Sequence, residues 1–360
     1  MPVFLVGGLA VQISHDLRLD AAGLGLAVAV YFAVTALGSL PVGTLVERLG
    51  SARTGRVAVL LAGAAMAAIA ALARSVPALL VLLAVAATAN SLGQLSSNAS
   101  LAQWVPPRRH GISFGAKQSA IPLSTLLAGA AVPTVALTVG WRWAFAIGAV
   151  LAIGALVLVP PDRPDRPPPQ PRRGGRAGAG LVLLGVAAAL AAGAANALGA
   201  FLVASTVARG MAESTAGLVL TLGSAVCVAA RLAVGWFADR RARGHLGLVA
   251  ALLGLGGVGV TLLGAPGPVA LAVGVLLGFG LGWSWPGLLA FAVVRLHPQA
   301  PAAATSVTQT GVYAGASVGP FGFGLLAARA GYPTAWLTAG VAMALACVFT
   351  LVGARTGADD

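Results

Sequence analysis

Gly43-Thr-Leu-Val-Glu47-Arg48, followed by Gly50, Arg53 and Arg56, has an echo 192 positions later. The second copy reads Gly235-Trp-Phe-Ala-Asp239-Arg240-Arg241, followed by Arg243 and Gly244. In each, a small residue is followed one helical turn on by an acid and a base, where an apolar segment gives way to arginines. In a chain of 360 residues, a repeat at that distance divides the sequence into two equal halves around a polar middle. Gly43 and Gly235 remove side-chain bulk where two helices must approach. Glu47 and Asp239 then place a carboxylate at a membrane surface, where it can face a helix N-terminus or an arginine. The plainer reading is that these charges only mark the membrane boundary.

Composition agrees. Hydrophobic residues make up 58% and charged residues 9%, with a mean hydropathy of +0.93. A soluble domain carries about 25% charged residues, so this is an all-α membrane protein. The net charge of +13 does not point to nucleic acid, because the arginines sit in short loops and form no continuous basic face. Lys117 is the single lysine among 22 basic side chains, a bias that points to a high-GC bacterial genome.

Crossing a ~30 Å hydrocarbon core takes about 20 helical residues. Apolar runs of that order occupy 22–42, 55–73, 77–104, 112–138 and 141–160, then 179–207, 214–237, 246–264, 268–294, 302–328 and 332–354. That makes eleven full spans plus a stub, 3–14. The repeat offset puts the first-half partner of 179–207 at about −13 to 15, so roughly half of the first span is missing. A mis-assigned start codon is the expected reason, with a natural eleven-span protein or a decayed gene as the alternatives. Residues 160–178 hold seven prolines and five arginines, which neither pack nor enter lipid. The expected units are therefore an N-terminal transmembrane bundle, 1–159, a linker, 160–178, and a C-terminal bundle, 179–360. Fifteen loop arginines lie on the Glu47 side and five on the other. The positive-inside rule then makes the linker, both motif copies and the C-terminus cytoplasmic in a plasma membrane.

The doubled motif resembles the loop motif between spans 2 and 3, echoed between spans 8 and 9, of major facilitator superfamily transporters. Trp141-Arg142-Trp143 at the start of span 6 is similar to that family too. The resemblance implies a major facilitator fold, two six-helix bundles related by a pseudo-twofold. It also implies a carrier that moves a small solute by alternating access, with the motif latching the cytoplasmic side. The gating residues it implies are Gly43, Glu47, Arg48, Arg231, Gly235, Asp239 and Arg240. Arg231, one turn before Gly235, is expected to pair with the motif acid or to snorkel. The first copy departs from the family pattern by carrying Glu47 in place of Asp and lacking a consecutive basic pair after Gly50.

Polar residues inside spans are the candidates for the solute path. Asn90, Gln94, Ser97 and Asn98 share one face of span 4, as substrate ligands or as helix–helix glue. Gln118 in span 5 is echoed by Gln309 in span 11. Lys117 is either a substrate counter-charge or a snorkelling side chain. Trp283, Trp285 and Pro286 follow a glycine-rich run in span 10, and Tyr313 lies in a span 11 rich in glycine. All nine acids fall in loops, at span ends or at the terminus, so organic cations are disfavoured and no proton-coupling motif is evident.

The expected substrate is an anionic or neutral organic molecule, with spans 10 and 11 loosely similar to cyanate-permease-like carriers. Export of neutral or amphiphilic compounds, or a transport-dead sensor or assembly protein, are the alternatives. No nucleophile–base pair or metal-ligand spacing supports an enzyme, a metal site or a cofactor. Solute and lipid are the expected partners of a monomer.

Overall fold

The structure, a computed structural model, describes residues 2–106, 109–161, 178–241, 243–297 and 301–356. Most of the linker therefore lies outside the described residues. So do the side chains of Gly43 and Glu47. Everything described is helix, turn or short connection.

In the first half, α1 (Pro2–Gly8) and α2 (Ala10–Leu17) make up the short first span. They are followed by α3 (Ala21–Leu49), α4 (Ser51–Leu72) and α5 (Val76–Trp104). The fifth span is broken into α6 (His110–Gln118), α7 (Ala120–Ala131) and a π turn, Val132–Ala136. The sixth is α8 (Trp141–Gly154), ending in a tight turn, Ala155–Leu158.

The second half opens with α9 (Ala179–Val207), α10 (Glu213–Arg240) and α11 (His245–Leu262). The tenth span is α12 (Pro268–Leu277), a π turn, Gly278–Gly282, and α13 (Trp285–Leu296). The last helix, α14 (Pro301–Thr356), is two spans joined at Gly331, whose φ of 82° no helix accommodates. Ten helical segments of the described chain are long and apolar enough to cross a membrane, and the break at Gly331 makes the last of them two crossings. The eleven full spans plus a stub read from the sequence are thus present.

Each motif copy ends in a glycine that turns the chain: Gly50 at φ 85° between α3 and α4, Gly244 at φ 78° before α11. A side chain at either would be strained in that conformation.

Helix packing rests on small residues. α9 carries no charged residue and is buried along most of its length. It runs beside α14 with Gly185, Ala189 and Gly193 against Gly311, Gly315 and Gly319. A Cβ on Gly315 would stand 1.8 Å from the carbonyl oxygen of Ala189, and one on Gly311 2.0 Å from that of Gly185. Four-residue spacing puts all six on facing stripes. The two halves meet by the same means. Gly217 of α10 lies on Gly129 of α7, and Gly25 of α3 lies on Pro320 of α14.

The halves differ in one respect. A space of about 1050 Å³ opens within the first half, bounded by α4, α5, α6 and the Ala155–Leu158 turn, and reaching Pro2. Ala116 and Ala120 line it. Their counterparts 191 positions on, Val307 and Gly311, instead touch Gly185 of α9. In the second half, the leading stretch of α9 occupies the corresponding place.

At the end opposite the motifs, short polar ties close the bundle. Asp16 accepts from Trp141 Nε1 at 3.1 Å and pairs with Arg142, which also donates to the Ala73 carbonyl at 2.9 Å. Gln12 Nε2 donates to Glu213 Oε2 at 2.6 Å, joining α2 of the first half to α10 of the second.

Two outcomes follow. Gly315→Ala is expected to destabilise the protein by about 1–3 kcal/mol, since backbone must move to admit the methyl group. Gly322→Ala, where a Cβ meets nothing within 4 Å, is expected to stabilise the same helix by up to about 1 kcal/mol. Thermal unfolding of the purified variants checks the pair; equal shifts would refute glycine packing at Gly315. The second outcome concerns Asp16, beyond the apolar run of the first span. Hydrogen bonds from Arg142 and then Trp141 hold its carboxyl below the usual carboxylate range. A lowered value means the tie contributes above about pH 4 and is lost as pH falls through the folded-state value. Because both partners are partly exposed, the contribution is at most about 1 kcal/mol. Asp16→Asn should match the parent at low pH and fall slightly below it at neutral pH in the same melts.

Candidate functional site

Two helix breaks create the centre of the molecule. Pro122 has no N–H to offer the carbonyl of Gln118 four residues earlier, which is why the span changes from α6 to α7 there. In the tenth span, Trp283 falls between the π turn and α13, so its carbonyl lies outside both helices. Buried carbonyls need donors. Arg231, one turn before Gly235 on α10, provides them. Its Nε and Nη2 donate to the Trp283 oxygen at 2.9 and 2.6 Å, and its Nη1 donates to the Gln118 oxygen. Arg231 is 2% exposed, and one guanidinium thus pins a carbonyl of each half.

Beside it lies a narrow space of about 60 Å³ between the halves. Five carboxamides line it: Asn90 and Gln94 from α5, Gln118 from α6, Asn196 from α9 and Gln309 from α14. Tyr313, Trp283, Trp285 and Pro286 complete the polar and aromatic wall. Phe4 and Phe279 brace the Trp283 indole edge-on, with ring centroids at 5.7 and 5.6 Å.

At the motif end, Asp239 closes on the first half. Gly111 N–H donates to its Oδ1 at 2.9 Å and Ile112 N–H to its Oδ2 at 3.0 Å. The carboxylate therefore takes up two free donors at the N-terminus of α6, where the helix dipole favours a negative charge. Gly235 makes this possible, since a Cβ there would stand 2.8 Å from the Gly111 carbonyl oxygen.

Of the residues expected at the solute path, Asn90, Gln94, Gln118, Trp283, Gln309 and Tyr313 come together in the central space. Lys117 and Asn98 do not line it. Lys117 lines the larger first-half space, its Nζ donating to the Gln94 carbonyl at 3.3 Å and to Asn98 Oδ1. It bridges α6 to α5. Arg231 does not bond to Asp239 as a relay would; each binds other atoms. Arg240 lies over the ring of Trp236 at 3.7 Å, away from the seam, and Arg48 is exposed. The Glu47 side chain lies outside the described residues, so a motif acid bonded to a helix start is described for the second copy alone.

Asn196 was not anticipated. It is the lone carboxamide in α9, whose other polar side chains, Ser205 and Thr206, lie at its far end, and it donates from Nδ2 to the Ala192 carbonyl at 2.8 Å; its place in mid-span was the available signal. Among the described residues no group of three or more His, Cys, Asp or Glu could hold a metal ion.

The fold and this site define a membrane transporter built of two helical bundles. The family model of the Major Facilitator Superfamily matches residues 1–320 and 184–358, and the chain belongs to that superfamily, whose members are transporters rather than enzymes.

Solved structures share the fold at low identity. A bacterial homologue of the human lysosomal transporter Spinster, in an inward-facing, occupied conformation, aligns with a TM-score of 0.74 at 16% identity, covering 98% of this chain and 93% of that one. The human organic anion transporter TETRAN aligns at 0.71 and 17%, covering 91% and 83%. A D-xylose–proton symporter aligns at 0.70 and 18%, covering 97% and 93%. No curated protein matches the sequence.

The Asp239 contact is directly testable. Two charge-assisted hydrogen bonds are worth roughly 1.5–3 kcal/mol each. In protein stripped of Cys227 and Cys347, a cysteine at Val234 is expected to react with a water-soluble maleimide at least about tenfold faster once Asp239→Ala is added. An unchanged rate would mean that Asp239 only marks the membrane boundary.

Proposed function

We propose that the chain is a secondary active carrier moving a small anionic or neutral organic solute across a bacterial plasma membrane by alternating access. The moving parts are the bundles 1–159 and 179–360, joined by the cytoplasmic linker 160–178. Asp239, and by repetition Glu47, latch the cytoplasmic side, with Gly43 and Gly235 allowing the close approach. The observation that carries this reading is the central space, where five carboxamides and a phenol from both halves converge. Polar groups so placed in a membrane interior mark a solute path. No acid lines that space, and Arg231 gives it a positive potential, which favours anions over cations. The loose likeness of spans 10 and 11 to cyanate-permease-like carriers points the same way. The broad space beside α5, whose wall is largely apolar although serines, Asn90, Gln94 and Lys117 also line it, favours a second reading, export of neutral amphiphiles.

Thermal unfolding of the purified protein against organic anions, sugars, amphiphiles and organic cations tests both. A ligand at 100 times its Kd stabilises the native state by about 2.7 kcal/mol, and hits are then followed by uptake into proteoliposomes. Anions or neutral polar solutes are expected to stabilise and to be transported. Stabilisation confined to organic cations would overturn the reading, and transport confined to amphiphiles would replace it with the second.

A further inference from the structure

Resting on the carrier reading, we propose that the central space is an oxyanion site. There the carboxylate of a small monocarboxylic acid binds between the Arg231 guanidinium and the indole N–H of Trp285.

The first argument is charge. The one ion pair among the described residues is Arg142–Asp16, at the far end of the molecule. Arg231 therefore keeps its charge in the interior against neutral acceptors alone: two carbonyls, the Cys227 thiol and the face of Trp283, whose centroid lies 5.8 Å from the guanidinium carbon. A buried cation of this kind is costly until an anion joins it. A guanidinium has five N–H groups. The bonds to Trp283 and Gln118 use one each on Nε, Nη1 and Nη2. One N–H on each terminal nitrogen remains for the Cys227 sulfur, a weak acceptor, or for a carboxylate, which accepts far more strongly.

The second argument is an unmet donor. Trp285 is 1% exposed, and its Nε1 has no hydrogen-bond partner among the described residues. Trp336 also lacks one, so an orphan indole is not in itself a site. Trp336, however, is packed against Phe323, whereas Trp285 lines the same space as Arg231. The residues that carry both sets line one space, and among the described residues no carboxylate does. An acceptor-rich anion satisfies both sets at once; an ammonium or a hydrocarbon satisfies neither.

The third argument is size. On the measure by which a water needs ~10–15 Å³, about 60 Å³ admits a group of a few heavy atoms. A carboxylate on a short chain fits. The flanking amides of Asn90 and Gln94, which also border the larger space, serve the remainder of the solute.

The experiment uses the full-length protein with acetate, propionate and lactate, their uncharged amides, and ethylammonium, at constant ionic strength. Binding is read by calorimetry and by the ¹⁵N-labelled indole N–H resonances, that of Trp285 being identified as the one absent from Trp285→Phe. The carboxylates are expected to bind and to shift the Trp285 resonance, while the amides and ethylammonium leave it in place. Trp285→Phe, which keeps the ring and loses the N–H, is expected to weaken carboxylate binding about tenfold, and Arg231→Gln to abolish it. Should Arg231→Gln fail to fold, the resonance shift in unaltered protein and the Trp285→Phe affinity decide. Carboxylate affinity unchanged in Trp285→Phe, with an unmoved resonance, overturns the site. If sugars or other uncharged solutes bind and are transported while carboxylates do not, the oxyanion site falls and the carrier stands. If nothing is transported, the carrier reading fails and this one with it.

Discussion

A single buried guanidinium holds two broken helices together. In lipid, every main-chain group must find its partner within the protein. Pro122 withholds the N–H that the Gln118 carbonyl would receive, and the passage from π turn to α13 leaves the Trp283 carbonyl outside regular helix. One carbonyl belongs to each half. Arg231 answers both, so the kinks that shape the centre exist because a charge on a third helix stabilises them. The arginine is in turn kept in the interior by those same oxygens. Neither feature is stable without the other.

Close approach is what lets Arg231 reach across. Along α10, Gly217 lies on Gly129 and Gly235 on Gly111, and a Cβ on Gly115 would stand 2.7 Å from the carbonyl oxygen of Arg231. Main chain meets main chain at each of these points. The seam is therefore thin, and the side chains that do occupy it at the centre are the long ones. Where glycine gives way to Arg231, Gln118 and Trp283, the small polar space opens. Glycine usage, which by composition alone carries little information, is here the reason that a space exists at that level and not elsewhere.

Much of the architecture was legible in the sequence because it depends on patterns local to one segment. Apolar run lengths gave the spans. Six of the eight cavity residues named from polarity alone line the central space. The failures have a common physical cause. Gln118 and Trp283 were read for their side chains, yet their carbonyls matter as much, and a carbonyl's partner is set by tertiary contact. Arg231 was expected to pair with Asp239, eight residues or about two turns further along α10, or to snorkel; instead each found orphaned backbone groups, Arg231 at helix breaks and Asp239 at a helix start. Lys117 has the polarity of a cavity residue but lies on the face of α6 turned to α5, a rotation that the short segment before Pro122 does not disclose. The tie between Gln12 and Glu213 joins residues 201 apart, and nothing near either one announces the other.

Helix α10 carries Glu213 at its first residue and Asp239 at its last turn, about 39 Å apart by helical rise, and each is bonded to the opposite half. Both fastenings thus sit on one rod, with Arg231 between them. A rigid rod that tilts about an interior fulcrum lifts one end as it presses down the other. With both ends fastened in this structure, a rocking of the two bundles would open one end of α10 while the other stayed fastened. Simultaneous release would require α10 to leave α6 and α7 altogether, abandoning the glycine seam and the Arg231 bonds together. In a carrier that rocks, protection against an open channel would in this way follow from the stiffness of one helix, with no timing between separate gates.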